Sequence, residues 1–268
     1  MSLNFSMQRI SMEKVETQKS VANVNIFDSE DELAKSLAKY IGDLSKKFEE
    51  ERGVFTIVLS GDPITKIMRN LAEPSSSIDW SKWYVFWVDE RVVPKDNPQS
   101  NYKLDYDEFL SKVPIPNDHV ISTNDKLSAE ATSIEYESRL KQLMKNNVIA
   151  TSNLTGFPKF DLILLGLGYN GHVASLFPNH PQLKENKKWV TYIKDSPKPP
   201  PQRITMTFPV INSSSNVAFL VAGNDKAEVV NQVFNGHQNS TMLPANMVSP
   251  EGDLKWFLDK EAASMMNI

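Results

Sequence analysis

The sequence is organised as short, largely apolar runs separated by longer stretches with helical periodicity. Phe160–Leu165 and Val217–Val221 are examples of the runs. Apolar runs of this length are typical of strands that are buried on both faces of a parallel sheet. Ser29 and Glu32 have the spacing of a capping box, which predicts that a long amphipathic helix begins there. The alternation of the two patterns predicts an α/β fold, a mostly parallel sheet with helices on both faces.

The same periodicities place the individual elements along the chain. Strands are expected at Val24–Phe27, Val54–Leu59, Trp83–Val88, Phe160–Leu165, Trp189–Ile193, Arg203–Thr207 and Val217–Val221. The first helix has an apolar stripe from Leu33 to Phe48, and further helices are expected near residues 63–72, 128–145 and 225–234. Ligands of such sheets bind beyond the carboxyl ends of the strands. The loops that follow the strands are therefore where functional residues are expected.

Composition narrows the class of partner. The chain has 268 residues, of which 40% are hydrophobic, and a formal net charge of −4. It can bury a sizeable core, and it lacks the basic tract that binding to nucleic acid requires. The absence of cysteine excludes a disulfide framework, a thiolate zinc site and a cysteine nucleophile. No apolar stretch approaches the ~20 residues that span a bilayer. A small polar molecule is the expected partner, while protein partners are left open.

The ends of the chain predict its organisation and location. Residues 1–20 are polar, and we expect a flexible N-terminal extension followed by a single domain over residues 21–268, since no repeat or clear linker divides the chain. The first twenty residues have no apolar signal core, and the last five match no retention tail. We therefore expect a cytoplasmic protein.

The loop Gly166-Leu167-Gly168-Tyr169-Asn170-Gly171-His172 admits two interpretations. Its glycines have the spacing of a dinucleotide-binding fingerprint, which requires a strand ending in an acidic residue about 20 residues later. Here the first acid is Asp195, after a lysine, and Phe177-Pro178 interrupts the helix that should follow. A tight turn that places His172 at a helix start, with its ring at a pocket, explains the glycines better. An ordinary hydrogen-bonded histidine is the alternative.

Three further loops at predicted strand ends carry polar side chains. Residues 60–66 follow the second strand, residues 89–94 follow the third, and residues 195–203 form a proline-rich stretch. Because parallel strands end at the same edge of a sheet, we expect these loops and His172 to share one crevice. That crevice would hold cations, carboxylates and an imidazole.

Three long motifs in these loops resemble the 6-phosphogluconolactonases. They are Trp87–Pro94 with Ser100–Tyr102, Gly166–Pro178 and Ser196–Thr205, and the similarity extends from about residue 22 to the end, most closely to plant cytosolic members. The resemblance implies a Rossmann-like fold of the type shared by glucosamine-6-phosphate deaminases and ribose-5-phosphate isomerases. It implies hydrolysis of 6-phospho-D-glucono-1,5-lactone to 6-phosphogluconate in the oxidative pentose phosphate pathway, without a metal or an organic cofactor.

Lactone opening gives roles to the matching residues. A neutral imidazole with an ordinary pKa near ~6.5 suits removal of a proton from water, so His172 is expected to be the general base. Arg91 is expected to stabilise the carbonyl oxygen or to bind the phosphate, a choice that the sequence leaves open. Asp89 and Glu90 are expected to orient Arg91 or the sugar hydroxyls, or to be plain surface acids.

The phosphate has its own expected binding residues. Lys198 and Arg203 are interpreted as a phosphate clamp on a loop stiffened by prolines, with a solvated basic loop as the alternative. Ser60 and Gly61 begin the stretch that matches the phosphate loop of the family.

The chain departs from the family pattern at two places. Ser60-Gly61-Asp62-Pro63 stands where relatives usually have Ser-Gly-Gly-Ser, so a glycine, a hydroxyl and an N–H donor are lost and a negative charge is gained. Asn170 stands where relatives usually have aspartate, and an amide cannot stabilise an imidazolium as a carboxylate does. Three hypotheses remain open: a working lactonase, a sugar-phosphate binding or regulatory protein with little turnover, and a sugar-phosphate isomerase or deaminase.

Overall fold

The computed structural model describes residues 23–61, 68–72, 78–236 and 242–266. Its strands are β1 (Asn23–Phe27), β2 (Phe55–Leu59), β3 (Trp83–Trp87), β4 (Asp89–Arg91), β5 (Val120–Ile121), β6 (Ala150–Thr151), β7 (Pro158–Lys159), β8 (Leu162–Gly166), β9 (Val190–Ile193), β10 (Arg203–Met206), β11 (Asn216–Val221) and β12 (Asp253–Asp259). Its α-helices are α1 (Glu30–Arg52), α2 (Asn101–Glu108), α3 (Ala129–Lys145), α4 (Phe208–Asn212) and α5 (Ala227–Asn235). The predicted extension at residues 1–20 lies outside the described residues.

A seven-stranded sheet forms the centre of the molecule. Its strand order is β1-β12-β11-β8-β2-β3-β5, and every pairing in it is parallel. After β2, strands β3 and β5 are added in turn on one side of it, and β8 then pairs with β2 on its other side. The strand order therefore reverses between β2 and β8, and a ligand crevice is expected at such a switch point.

Hydrophobic side chains pack on both faces of this sheet. Ile57 and Leu59 of β2 pack with α1, whereas Val58 between them packs with the cluster that includes residues of α3 and α5. This division follows from the period of two along a strand, which sends successive side chains to opposite faces. The predicted fold class, a mostly parallel Rossmann-like sheet with helices on both faces, is confirmed.

Helix α1 begins where the sequence predicts and continues past the end of the predicted apolar stripe, to Arg52. The Ser29 Oγ accepts a hydrogen bond from the backbone N–H of Glu32 at 3.3 Å, and the helix ends at Gly53, whose φ of 75° is left-handed. At its last turn, Arg52 Nη1 binds the buried Asp161 Oδ1 at 2.5 Å. This pair joins the end of α1 to the start of β8.

Two of the predicted strands lie outside the central sheet. Strands β9 and β10 pair antiparallel with each other, and β10 pairs antiparallel with β4, which gives a separate three-stranded sheet. The loop between β9 and β10 is too short for a crossover connection, so the two strands form a hairpin. The sequence patterns also missed β12, which lies between β1 and β11 in the central sheet. Of the helix expected at residues 63–72, the described part is residues 68–72, in which Met68 is α-helical and Arg69–Ala72 form a 3₁₀ turn.

Candidate active site

A cavity of about 240 Å³ lies at the carboxyl edge of the central sheet. At its base, the Ser60 Oγ beyond β2 accepts a hydrogen bond from the Gly166 N–H of β8 at 3.3 Å, so the cavity lies at the switch point. The predicted site residues Ser60, Gly61, Asp89, Arg91, His172, Lys198 and Arg203 line it together, and Asn101 and Lys226 join them. The expectation that the loops share one crevice is thus met for the described residues, whereas Asp62 and Pro63 lie outside them.

The glycine loop is folded tightly around His172. The backbone N–H of Gly168 donates to the His172 carbonyl at 2.9 Å, and that of Gly171 donates to the Gly168 carbonyl at 2.8 Å. A Cβ added at Gly168 would lie 1.9 Å from the imidazole ring, and Gly171 has a left-handed φ of 75°. Gly168 is therefore required by the imidazole ring and Gly171 by its backbone conformation and the nearby Leu243 side chain, so neither glycine needs a dinucleotide to explain it.

The expected helix start at His172 is wrong. The residues that follow it form turns, with the Leu176 N–H donating to the Val173 carbonyl at 2.8 Å, and no helix begins there in the described chain. Ala174 has a φ of 49°, which a right-handed helix does not allow. The imidazole is held by side chains and by burial instead of by a helix terminus.

Asn170 fixes the tautomer of His172. The Asn170 Oδ1 lies 2.6 Å from His172 Nδ1 and accepts from the His172 backbone N–H at 3.3 Å. Because the backbone N–H can only donate, the amide atom facing the ring is the oxygen, and Nδ1 must carry the ring proton. The lone pair of the imidazole is therefore on Nε2. Asn170 itself is exposed and does not line the cavity.

Burial and the surrounding cations keep His172 neutral. Burial, followed by the charges of Lys198, Arg203, Lys226 and Arg91, lowers the pKa of His172 to about 3. The imidazole is consequently deprotonated throughout the neutral range. The same four cations make the cavity a site for an anion.

Tyr169 organises two of these cations at the rim. Its ring lies 5.0 Å from the Lys198 ammonium and 3.6 Å from that of Lys226, and its hydroxyl donates to Asp225 Oδ2 at 2.8 Å. An aromatic face attracts cations at these distances. Although 59% of Tyr169 is exposed and it does not line the cavity, these contacts give it a defined position beside two lysines that do.

Arg203 is more deeply buried than a surface clamp would be. Its guanidinium donates to the backbone carbonyls of Lys198, Pro199 and Pro200 at 2.9–3.0 Å, and only 3% of the residue is exposed. The solvated-loop alternative fails for this residue. These bonds hold the proline loop, and with it Lys198, against the cavity.

Glu90 joins the strand and the helix that flank the cavity. Its carboxylate accepts the backbone N–H groups of Arg91, Asn101 and Tyr102 at 2.7–2.8 Å, which ties β4 to the first turn of α2. Burial raises the pKa of Glu90 to about 7, although the three backbone N–H donors act in the opposite direction and lower it. Asp89, which is also buried, accepts from the Ser175 hydroxyl at 2.6 Å. Neither acid is a plain surface residue.

Arg91 extends from β4 along the cavity wall. Its Nη1 donates to the Gln99 carbonyl at 2.7 Å. Its Nε is buried and has no hydrogen-bond partner among the described residues. Whether this guanidinium binds the carbonyl or the phosphate stays a prediction.

Sequence patterns missed two residues of the cavity. Lys226 follows β11, and the rule that pointed to the other loops would have found it had it been applied to this strand end. Asn101 was part of a recognised motif, but its role becomes visible only from its contacts.

Two negative findings concern the described part of the chain alone. No group of three or more His, Cys, Asp or Glu side chains there is arranged to hold a metal ion. None of the helices there combines the length and the apolar character that crossing a bilayer requires.

The fold and the site define a class: an α/β protein whose crevice, lined by four cationic side chains, holds a neutral histidine at the switch point of a parallel sheet. Residues 28–256 match the model of the family described as glucosamine-6-phosphate isomerases/6-phosphogluconolactonase. The chain belongs to this family, and the resemblance of its three motifs is confirmed.

Individual relatives agree with this assignment. The chain is 60% identical over 247 residues to a protein of Oryza sativa subsp. indica named probable 6-phosphogluconolactonase 4, chloroplastic, covering 91% of this chain and 76% of the relative. It is 55% identical over 245 residues to 6-phosphogluconolactonase 3, chloroplastic, of Arabidopsis thaliana, covering 91% and 75%. Among solved structures, 6-phosphogluconolactonase from Thermotoga maritima superposes with a TM-score of 0.76 at 26% identity, covering 90% of this chain and all of the other.

The expected cytoplasmic location is wrong. The rice and Arabidopsis relatives are named chloroplastic, which points to a plastid. The expectation depended on a missing apolar signal core, but transit peptides are amphipathic and rich in Ser and Arg. That observation therefore bears on secretory signals and not on plastid import.

Proposed function

We propose that this protein hydrolyses 6-phospho-D-glucono-1,5-lactone to 6-phosphogluconate, with His172 as the general base. The observation that carries the proposal is the neutral imidazole of His172 in one cavity with four cationic side chains. The base suits an ester carbonyl attacked by water, and the cations suit a phosphate dianion. Relatives named 6-phosphogluconolactonase support the same reaction.

The proposed chemistry begins at His172 Nε2, the ring nitrogen that carries the lone pair. Nε2 accepts a proton from water as the water oxygen bonds to C1 of the lactone, and Asn170 Oδ1 keeps the proton on Nδ1. Negative charge develops on the carbonyl oxygen, where a guanidinium such as that of Arg91 is favourable. The C1–O5 bond then breaks, and the imidazolium returns its proton to O5. The water has added across the ester bond, and the imidazole is neutral again.

The four cations would couple binding of the substrate phosphate to the basicity of His172. In the protein alone, their charges contribute to the low pKa of His172. A bound phosphate dianion would offset those charges, so the pKa of the imidazole would rise when substrate binds. The base would then be stronger in the complex than in the free protein. Burial, the larger cause of the low pKa, would persist in the complex, so the phosphate would offset only the contribution of the cations.

In the proposed assignment, Lys198 and Lys226 hold the phosphate at the rim. Arg203 completes the anion site from below and positions the loop that carries Lys198. Ser60 and Gly61 form the wall beyond β2. Asp89 and Glu90 position the segments that carry Arg91.

Hydrolysis of the phosphorylated lactone should be compared with that of glucono-1,5-lactone, each measured in excess of the spontaneous rate. We expect acceleration of the phosphorylated substrate and little or none of the other, because the cations have no partner on the second. Absence of acceleration with the phosphorylated lactone would refute the proposal. Tight binding of 6-phosphogluconate in the same protein would then favour the alternative, a sugar-phosphate binding protein.

A further inference from the structure

Asn101 is a buried cavity residue that the proposed mechanism leaves without a task. It is the first residue of α2, its exposed fraction is 0%, and it lines the cavity beside Gly61. Its backbone N–H donates to Glu90 Oε1 at 2.8 Å, and its side-chain Nδ2 donates to the Asp89 carbonyl at 2.9 Å. Both ends of the residue are therefore fixed by neighbouring segments.

The orientation of the Asn101 amide follows from these contacts. The Asp89 carbonyl can only accept, so the atom that faces it must be the nitrogen. Rotating the amide by 180° would place two oxygens against each other. The Oδ1 is thus held on the other side of the amide group.

Asn101 Oδ1 is a buried acceptor for which the described part of the chain provides no donor within hydrogen-bonding distance. Leaving a buried polar atom unpaired costs about 1–3 kcal/mol, so such atoms call for a specific explanation. A Cβ added at Gly61 would lie 2.4 Å from this oxygen. The glycine therefore keeps room in front of the acceptor, which a larger residue would close.

The charges nearby define which donor suits this oxygen. Arg91, Lys198, Arg203 and Lys226 all line the same cavity. Their potential opposes a ligand ammonium, and therefore favours an uncharged donor. A hydroxyl of a sugar ring has this chemistry, and a phosphorylated sugar carries both the anion and the hydroxyl.

We propose that Asn101 Oδ1 accepts a hydrogen bond from one ring hydroxyl of the sugar phosphate, and that Asn101 is a specificity-determining residue which selects for that hydroxyl. The inference rests on the proposed function, because it takes the ligand to be a phosphorylated sugar ring. Gly61 contributes by leaving the space that the hydroxyl enters.

The test uses a ligand that cannot be hydrolysed. In 1,5-anhydroglucitol 6-phosphate a methylene replaces the lactone carbonyl, and forms that lack the 2-, 3- or 4-hydroxyl report on each hydroxyl separately. Binding to the full chain is measured by calorimetry. We expect one of the three deoxy forms to bind wild type roughly 10-fold more weakly than the parent. Asn101→Ala should bind the parent more weakly by a similar factor and should no longer distinguish that deoxy form.

Two glycine variants make the test independent of the folding of Asn101→Ala. Gly61→Ala should weaken parent binding because the new methyl group meets the acceptor, whereas Gly42→Ala in α1 should not, since nothing lies within 4 Å of its added Cβ. Equal binding of the parent and all three deoxy forms by wild type would overturn the inference. The inference would also be overturned if Asn101→Ala bound the parent with full affinity and still distinguished the deoxy forms. Failure of wild type to bind the parent would overturn it as well.

These results are separable from the proposed function. A protein that prefers one hydroxyl through Asn101 but does not hydrolyse the lactone would refute the hydrolase and keep the inference. A protein that hydrolyses the lactone but shows no hydroxyl preference would refute the inference about Asn101 and keep the hydrolase.

Discussion

Replacing Asn170 by aspartate tests how the ring of His172 is tuned. The substitution puts a carboxylate where an amide oxygen now lies 2.6 Å from Nδ1. A nearby opposite charge raises the pKa of a cationic acid by about 1 to 3. Asn170 is exposed, so water screens the new charge and the lower half of that range applies. The pKa of His172, about 3 in this protein, should rise to roughly 4–5.

The assay is the pH dependence of kcat/KM, which reports the base in the free protein. Activity requires the neutral imidazole, so it is present above the pKa of His172 and is lost as the pH falls through it. The substrate phosphate, whose second pKa is about 6, and Glu90 shape both profiles alike, so the readout is the ratio of kcat/KM in Asn170→Asp to that in wild type. This ratio should be constant from pH 7 to about pH 5 and should fall below about pH 5, because the imidazole of the variant is protonated first. At pH 7 the variant should have the higher kcat, because its base is stronger.

Asn170→Ala is the matched control, since it removes the acceptor without adding a charge. It should not move the acidic limb upward as the carboxylate does. NMR titration of the imidazole, assigned by the loss of its signal in His172→Gln, measures the pKa directly. Superimposable titrations of wild type and Asn170→Asp, or an equal rise in Asn170→Ala, would refute the electrostatic account.

Other substitutions separate binding from stability. Lys198→Ala should raise the KM for the phosphorylated lactone about 10- to 100-fold with a smaller change in kcat, and an unchanged KM in steady-state kinetics would remove this lysine from the phosphate site. Arg203→Ala should also lower the urea midpoint of unfolding, because three carbonyls of the proline loop lose their donor; a midpoint equal to that of Lys198→Ala would contradict this role. Glu90→Gln should destabilise the fold by about 1–3 kcal/mol, because its new NH₂ faces backbone N–H donors, and unchanged unfolding would show that the carboxylate does not hold α2.

Much of the fold could be predicted because the central strands are buried on both faces. Their burial makes the runs almost continuously apolar, and the side-chain period then assigns the two faces. The Ser29 cap and the glycine turn at Gly168 and Gly171 also have local causes, so the sequence carries their signal. The helix expected after His172 failed because Phe177-Pro178 and the turn before it compete with helix formation.

Other features depend on contacts that sequence spacing does not encode. Strands β9 and β10 have ordinary strand patterns, and only their pairing with β4 places them in a separate antiparallel sheet. The Asn101 oxygen, which has no donor among the described residues, depends on segments distant in the sequence, since its amide meets Asp89 and Gly61. The carbonyl partners of Arg203 lie only three to five residues before it, but strand and turn patterns do not encode the return of a side chain onto its own loop. Asp62 and Pro63 lie outside the described residues, so their proposed effect on phosphate binding remains a prediction from the sequence.

The central claim is that His172 is the base for lactone hydrolysis. The most direct measurement compares catalysed hydrolysis of the phosphorylated lactone by wild type, His172→Ala and His180→Ala, with circular dichroism to confirm folding. His180 is a matched control because it follows the same loop but does not line the cavity. We expect His172→Ala to lose all hydrolysis above the spontaneous rate while His180→Ala retains it. A folded His172→Ala variant with near-normal turnover would contradict the account.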